Sequence, residues 1–142
     1  MLVRDLMSES VVAVDASAQL RDAVLAMLRE GVGSVIVRRD GAPTGIITET
    51  DALMSAAETG RPLADVAVED AMTSDLVTGS PDMTVRKAVG RMNRQGVKKL
   101  PIVEDFDVVG IVTMTDVVRH HASLIREAHR AEERSSSRWD TD

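Results

Sequence analysis

The chain has 142 residues, 44% of them hydrophobic, and a formal net charge of −6. This fits one soluble domain or two small halves, and it argues against a general nucleic-acid binder, whose surface is usually basic. It has no cysteine, so disulfides and thiolate metal ligands are excluded. With neither a membrane-length apolar run nor a secretory signal pattern, we expect a cytoplasmic protein.

The first half of the chain predicts elements in the order β-α-β-β-α. Residues 10–14 form a short strand candidate, and residues 16–31 carry apolar side chains at helical spacing. Gly31 stands where a helix often ends in the left-handed conformation. The β-branched run 33–39 predicts a second strand. The turn 40–45, a third strand beginning at Ile46 and a second helix complete this half.

The second half repeats the first at an offset of 65 residues. Aligning residues 3–53 with 68–118 without a gap gives 17 identities among 51 pairs, far above chance. The matching segments of the second half are 75–79, 81–96, 99–105 and 105–110, followed by a third strand at Ile111 and a helix. One copy alone would bury too little surface to be stable. We therefore predict an α/β (α+β) fold of two pseudo-twofold-related β-α-β-β-α motifs that are packed through their sheets.

Domain boundaries follow from this repeat. We place motif 1 at residues 1–57, a linker at 58–67 and motif 2 at 68–125. Residues 126–142 are polar on all sides, which predicts a helical extension followed by a disordered tail.

Both halves carry the same motif at the turn from the third strand into the next helix. It reads "GIITETD" at 45–51 and "GIVTMTD" at 110–116. A carboxylate accepts hydrogen bonds from both hydroxyls of a ribose, and the free N–H groups of a helix N-terminus suit an anion. The same Thr-x-x-Asp spacing also forms a capping box. Both interpretations stay open, because each one predicts that both halves keep these residues.

These features together resemble a known family. "VRDLM" and "VEDAM" begin the two halves, "GVGSVIV" and "GVKKLPIV" follow the first helices, and the two Thr-x-x-Asp turns come next. In this order the sequence resembles, over about residues 1–125, a tandem pair of cystathionine-β-synthase-type (CBS) domains, or Bateman module.

The resemblance implies a non-catalytic regulatory module. Such a module binds an adenosine-containing ligand (AMP, ADP, ATP or S-adenosylmethionine) between its motifs and pairs into a disc-shaped homodimer. With no effector domain attached, its output would require an unknown protein partner in trans. The alternative is a structural or oligomerisation module whose clefts are vestigial.

The resemblance also implies two unequal clefts. The first takes Asp116, Thr113, Thr115, Ile111, Lys98 and Lys99 from its own repeat, with Ser10, Val12 and Val35 opposite. The second takes Asp51, Thr48, Thr50 and Ile46, with Asp75, Val77 and Leu100 opposite. Because lysines suit phosphate, we expect the Asp116 cleft to prefer a phosphorylated ligand and the Asp51 cleft to bind more weakly or to take a less charged ligand. Solvated lysines, and plain core packing of Val12 and Val77, stay open as alternatives.

The three histidines do not predict a metal site. His120 and His121 are adjacent and His129 is distant, whereas ligands on one helix face need a spacing of three or four residues. No phosphate-binding glycine loop or nucleophile motif is present, so we expect neither a metal nor catalysis.

Overall fold

The computed structural model describes residues 1–122, 125–126 and 129–130. The first half forms a three-stranded sheet in the order β1-β2-β3, in which β1 runs parallel to β2 and β2 antiparallel to β3. Its elements are β1 (Ala13–Asp15), α1 (Leu20–Glu30), β2 (Ser34–Arg39), β3 (Ala42–Thr48) and α2 (Glu49–Thr59).

The second half repeats this order at the predicted offset. A 3-10 turn at Leu63–Asp65 leads into it. Its elements are α3 (Val68–Ala71), α4 (Val85–Gln95), β4 (Lys99–Glu104), β5 (Asp107–Thr113) and α5, which covers 114–122 and is also helical at 125–126 and 129–130. Since α4, β4 and β5 begin 65 residues after α1, β2 and β3, the predicted duplication and mixed fold are confirmed.

Both long helices end as predicted but begin later than predicted. Gly31 and Gly96 adopt left-handed φ values of 65° and 66°. In the first half the Asp15 carboxylate accepts a hydrogen bond from the Ser17 amide at 2.8 Å. Such local side-chain bonds compete with helix formation, so α1 begins at Leu20 rather than near residue 16.

The strand predicted at 75–79 does not form, and Pro101 explains why. In the first half the Ile36 amide donates to the Val12 carbonyl at 2.8 Å. Pro101 stands at the equivalent position of β4 and has no N–H to donate. Only the bonds around Gly79 remain, namely Gly79 N to Pro101 O at 3.0 Å and Val103 N to Gly79 O at 2.8 Å. The second sheet therefore has two strands.

The two hairpin turns are tighter than predicted. Asp40 and Gly41 have φ values of 52° and 80°, and Asp105 and Phe106 have values of 52° and 67°. Two consecutive left-handed residues are typical of two-residue hairpins, because their twist matches that of the strands. The rest of each predicted turn belongs to β3 or β5.

Each half completes the core of the other half through its leading segment, residues 2–8 or 67–73. Val3 is fully buried in the core under α4, and its amide donates to the Met83 carbonyl at 2.9 Å. Val68 is likewise buried under α1, and its amide donates to the Ala18 carbonyl at 3.0 Å. The leading segments therefore exchange places, which the sequence-based boundaries do not show.

A third apolar cluster joins the two sheets. It contains Ile36 and Ile46 from the first half and Val108 and Ile111 from the second half, all buried. The bridges Ser8–Ile111 and Thr73–Ile46 extend it with backbone hydrogen bonds. The predicted packing of the motifs through their sheets is confirmed.

In the described part of the chain, no helix is both long enough and apolar enough to span a membrane. The extension predicted for 126–142 falls almost wholly outside the described residues.

Candidate functional site

The Thr-x-x-Asp turns form capping boxes in both halves. The Thr48 amide donates to Asp51 Oδ2 at 2.9 Å, and the Asp51 amide donates to Thr48 Oγ1 at 3.2 Å. At Thr113 and Asp116 the two corresponding bonds are each 3.0 Å. Among the hydrogen bonds of the described residues, neither carboxylate uses its Oδ1. Each aspartate therefore caps a helix through Oδ2, and its Oδ1 takes no part in the capping bonds.

Strand alternation decides which predicted residues reach the space between the sheets. Ile46 and Ile111 lie in the intersheet cluster. Thr48 and Thr113 follow them by two residues and share their faces. Ser34 pairs with Thr48, and Lys99 pairs with Thr113. Directly paired residues lie on one face of a sheet, so all of these side chains belong to the cleft side.

Val35 and Leu100 do not belong to the cleft side. Both are fully buried, Val35 in the core under α1 and Leu100 in the core under α4. Each is one residue along its strand from the cleft-facing Ser34 or Lys99, so it points to the opposite face. Their side chains therefore do not face the space between the sheets, and the assignment of Val35 and Leu100 to the two clefts stays a prediction.

Lys99 lies in the cleft of the first half, not in that of its own half. Its Nζ donates to the Gly33 carbonyl at 2.6 Å, and this carbonyl also accepts the Glu49 amide at 3.3 Å, at the start of α2. A Cβ on Gly33 would lie 2.8 Å from Nζ and 3.4 Å from Glu49 Oε1. The expectation that Lys99 serves the Asp116 cleft is therefore wrong, and the Asp51 cleft has a lysine after all.

The environment of Lys99 acts on its charge in two directions. Burial lowers the pKa of its ammonium group below the ordinary value, whereas the negative charges of Glu49 and Asp51 raise it. Burial has the larger effect. The two carboxylates thus partly offset the effect of burial on the Lys99 pKa.

Lys98 stays in its own half, with an exposed side chain. Its carbonyl accepts the Met114 amide at 3.0 Å, as the Gly33 carbonyl accepts the Glu49 amide. The two lysines therefore do not act as a pair on one ligand. The nearby Thr115 is exposed at the start of α5, and its counterpart Thr50 is exposed at the start of α2.

The remaining predicted residues lie on the segments that precede the first strand of each half. Ser10 is exposed, and Val12 packs on the core under α1. Val77 packs on the core under α4 and, with Asp75, lines an open pocket of about 600 Å³ beside that helix. Arg91 closes one side of this pocket by donating to the Thr78 carbonyl at 2.6 Å. No residue of α2 lines it, so the structure does not join Asp75 to Asp51 in one pocket.

The sequence profile of the CBS domain matches residues 3–58 and 68–123. The chain belongs to the CBS domain family. Both of its CBS domains carry the features described above, so the Thr-x-x-Asp turns, the intersheet face and the exchanged leading segments are properties of one CBS pair.

Individual proteins agree with this assignment. An uncharacterized protein of Methanopyrus kandleri is 38% identical over 101 residues, covering 70% of this chain and 52% of that protein. The CBS domain-containing protein YhcV of Bacillus subtilis is 29% identical over 121 residues, covering 85% of this chain and 86% of YhcV. The CBS pair thus spans about half of the first relative and most of the second.

A solved CBS domain pair has the same fold. The pair of protein MJ0100, crystallised in complex with 5′-methylthioadenosine and S-adenosyl-L-methionine, superposes with a TM-score of 0.77 at 24% identity, covering 87% of this chain and 97% of that one. At this identity the likeness shows the fold alone.

Sequence reasoning missed two groups beside the Lys99 ammonium of the CBS pair, the Gly33 carbonyl and the Glu49 carboxylate. The offset of 65 residues held a signal for both, because Glu49 aligns with Met114 and Gly33 with Lys98. In each of these two pairs one half carries a charged residue and the other half an uncharged one, although the surrounding turns match. As for metals, no group of three or more His, Asp or Glu side chains converges among the described residues of the CBS pair.

Proposed function

We propose that this CBS pair is a non-catalytic regulatory module, acting in the cytoplasm, that binds adenosine-containing ligands between its two domains. The ligand class is AMP, ADP, ATP or S-adenosylmethionine, and binding is passed to a protein partner in trans. The observation that carries the proposal is the pairing, in both domains, of an intersheet apolar face with a helix N-terminus whose aspartate keeps a free oxygen. The ligands of the MJ0100 pair support the choice of adenosine.

Three parts of such a cleft would contact three parts of a nucleoside ligand. Ile46 or Ile111 offers an apolar surface to the adenine ring. The free oxygen of Asp51 or Asp116 accepts from the ribose hydroxyls, a charged hydrogen bond of the stronger class. The N-terminus of α2 or α5 offers its partial positive charge to the 5′ substituent. Because both domains line the clefts, a ligand that prefers one relative packing of the domains shifts that equilibrium, and a partner can detect the shift.

The decisive experiment separates the cap from the ligand contact. In Asp51→Asn and Asp116→Asn the amide oxygen still accepts the threonine N–H, so the helix keeps its cap but the cleft loses its charge. We expect each substitution to weaken nucleoside binding at its own cleft by about 10- to 100-fold, the worth of one charged hydrogen bond. Isothermal titration calorimetry with AMP and with S-adenosylmethionine measures this effect.

Asp22→Asn is the matched control. Asp22 caps α1 by accepting the Gln19 amide at 2.9 Å, and it lies at neither Thr-x-x-Asp turn. We expect its substitution to leave binding unchanged. Absence of heat and of any thermal shift with every adenosine ligand would contradict the proposal and favour a structural module with vestigial clefts.

We also propose that the CBS pair forms a homodimer through its helical side. Leu28 and Leu53 are 74% and 71% exposed and line an apolar groove of about 500 Å³ between α1 and α2. Val118, the counterpart of Leu53 in the second domain, is 63% exposed. Apolar side chains that share a surface in this way mark interaction sites more often than free surface.

Leu53→Asp tests this interface. A carboxylate at its centre would have to be desolvated on association, so we expect a fall in dimer affinity of at least about tenfold. Analytical ultracentrifugation of the variant and the unaltered chain measures it. Glu58→Lys changes charge on the same helix outside this groove and should leave the association unchanged. A monomeric unaltered chain at high concentration would exclude the dimer.

A further inference from the structure

Three charged groups lie near one another at the start of α2, where the exposed Glu49 and the Lys99 ammonium both approach Gly33. Glu49 and Asp51 are the first and third residues of the helix. The Lys99 ammonium, from the second domain, donates to the Gly33 carbonyl and lies near enough for both negative charges to act on it. By formal charge, two carboxylates and one ammonium leave one net negative charge at the start of α2.

The ammonium of Lys99 is already engaged. It donates to the Gly33 carbonyl at 2.6 Å, and the negative charges of Glu49 and Asp51 lie close enough to act on it. A helix N-terminus alone would favour an anion, but Glu49 and Asp51 already supply negative charge to the first turn of α2. A 5′-phosphate entering here would have to displace Lys99 from its carbonyl and approach two carboxylates.

The second cleft lacks this arrangement. Met114 replaces Glu49, Ser34 replaces Lys99 and Lys98 replaces Gly33. Asp116 is then the single carboxylate of its Thr-x-x-Asp turn, and the exposed Lys98 is free to meet a phosphate. The two clefts share their ribose-binding geometry and differ mainly in charge.

We infer that Glu49 makes the Asp51 cleft selective for an adenosyl ligand whose 5′ group is uncharged or cationic, such as a thioether or sulfonium, and that the Asp116 cleft takes the phosphorylated ligand. This inference rests on the proposed function, because it assumes that the clefts bind adenosine. The sequence-based expectation of a less charged ligand at the Asp51 cleft is therefore kept, but for a different reason. The cleft has a lysine, Lys99, whose positive charge is offset by a nearby carboxylate.

The test uses the intact chain with the second cleft weakened by Asp116→Asn. 5′-Methylthioadenosine and AMP carry the same nucleoside and differ in the charge of the 5′ group. The ratio of their Kd values therefore reports the effect of that 5′ charge on binding. We expect 5′-methylthioadenosine to bind at least about tenfold more tightly than AMP, the effect of one carboxylate a few ångströms away at a protein surface. Glu49→Gln should strengthen AMP binding by about tenfold and change 5′-methylthioadenosine binding by less than about twofold.

Two controls separate charge from structure. Glu58→Gln removes a carboxylate from the exposed far end of the same helix and should change neither affinity. Raising the ionic strength should reduce the preference for 5′-methylthioadenosine in the unaltered cleft, because salt screens exposed charges. A steric role of Glu49 would show no such dependence. In the converse background, Asp51→Asn with Met114→Glu should weaken AMP binding at the second cleft.

The outcomes distinguish the inference from the proposed function. If both probes bind and Glu49→Gln leaves their ratio unchanged, the inference is wrong and the proposed function stands. If AMP binds the unaltered Asp51 cleft more tightly than 5′-methylthioadenosine, the inference is wrong as well. If no probe binds in any background, the proposed function fails and the inference fails with it.

Discussion

Gly45→Ala should destabilise the CBS pair by about 1–3 kcal/mol, the usual cost of overpacking a filled site. A Cβ at this position would lie 2.9 Å from Met72 Cγ and 3.0 Å from the Thr73 carbonyl oxygen. Met72 can move, but Thr73 is held by its hydrogen bonds to Ile46, at 2.9 and 3.0 Å. The alanine therefore forces the leading segment of the second domain away from β3. Equilibrium denaturation in urea measures the free energy of unfolding.

Two further substitutions give this experiment its controls. Gly110→Ala should cost a similar amount, because its Cβ would lie 2.9 Å from Met7 Cγ and 3.1 Å from the Ser8 carbonyl oxygen. Gly90→Ala should instead stabilise the protein by about 0.5–1 kcal/mol, since Gly90 lies within α4 and only the Arg94 side chain approaches it. Equal effects at positions 45 and 90 would mean that glycine is not needed for the close approach.

These glycines show how far the sequence alone leads. Gly45 and Gly110 stand out as repeated residues, and the repeat predicts the fold class and the main elements, except for the strand at 75–79. It does not show that Met72 and Met7 cover them from the other domain. The leading segments look like the first part of their own repeats, because sequence order places them there. Their exchange is a feature of the tertiary structure, determined by which core has room for Val3 and Val68.

The candidate site was likewise predicted from the sequence only in part. The threonines and aspartates of the two turns were predicted, and the structure shows the capping bonds that the sequence left open. Lys99 was misplaced because neighbouring residues at the start of a strand point in opposite directions. Its side chain contacts the first half, whereas Lys98 stays in its own half. The missing strand at 75–79 has a comparable cause. A single proline on the partner strand removes the donor, and strand patterns within 75–79 itself cannot show this.

Val3→Ala should cost about 2 kcal/mol, from two lost methyl groups and the cavity that they leave in a fully packed site. The reason lies in the second domain, since Val3 is buried against residues such as Met92 and Leu100 of that domain's core. We expect the amides of α4 and β4 to lose hydrogen-exchange protection along with those of the leading segment. Val68→Ala should do the same to α1 and β2, because Val68 belongs to the core of the first domain.

Glu58→Ala provides the baseline for both substitutions. Glu58 is exposed on α2 and lies outside the groove of the proposed dimer interface. Alanine also has the better helix propensity there, so we expect a change in the free energy of unfolding near zero or slightly stabilising. If each leading segment completes the core of the other domain, Val3→Ala and Val68→Ala both shift one cooperative unfolding transition that the two domains share. Two separate transitions, with Val3→Ala moving only the first domain, would contradict the exchange. The shared transition bears on the proposed function, because a ligand bound between two domains with interlocked cores would stabilise both domains together.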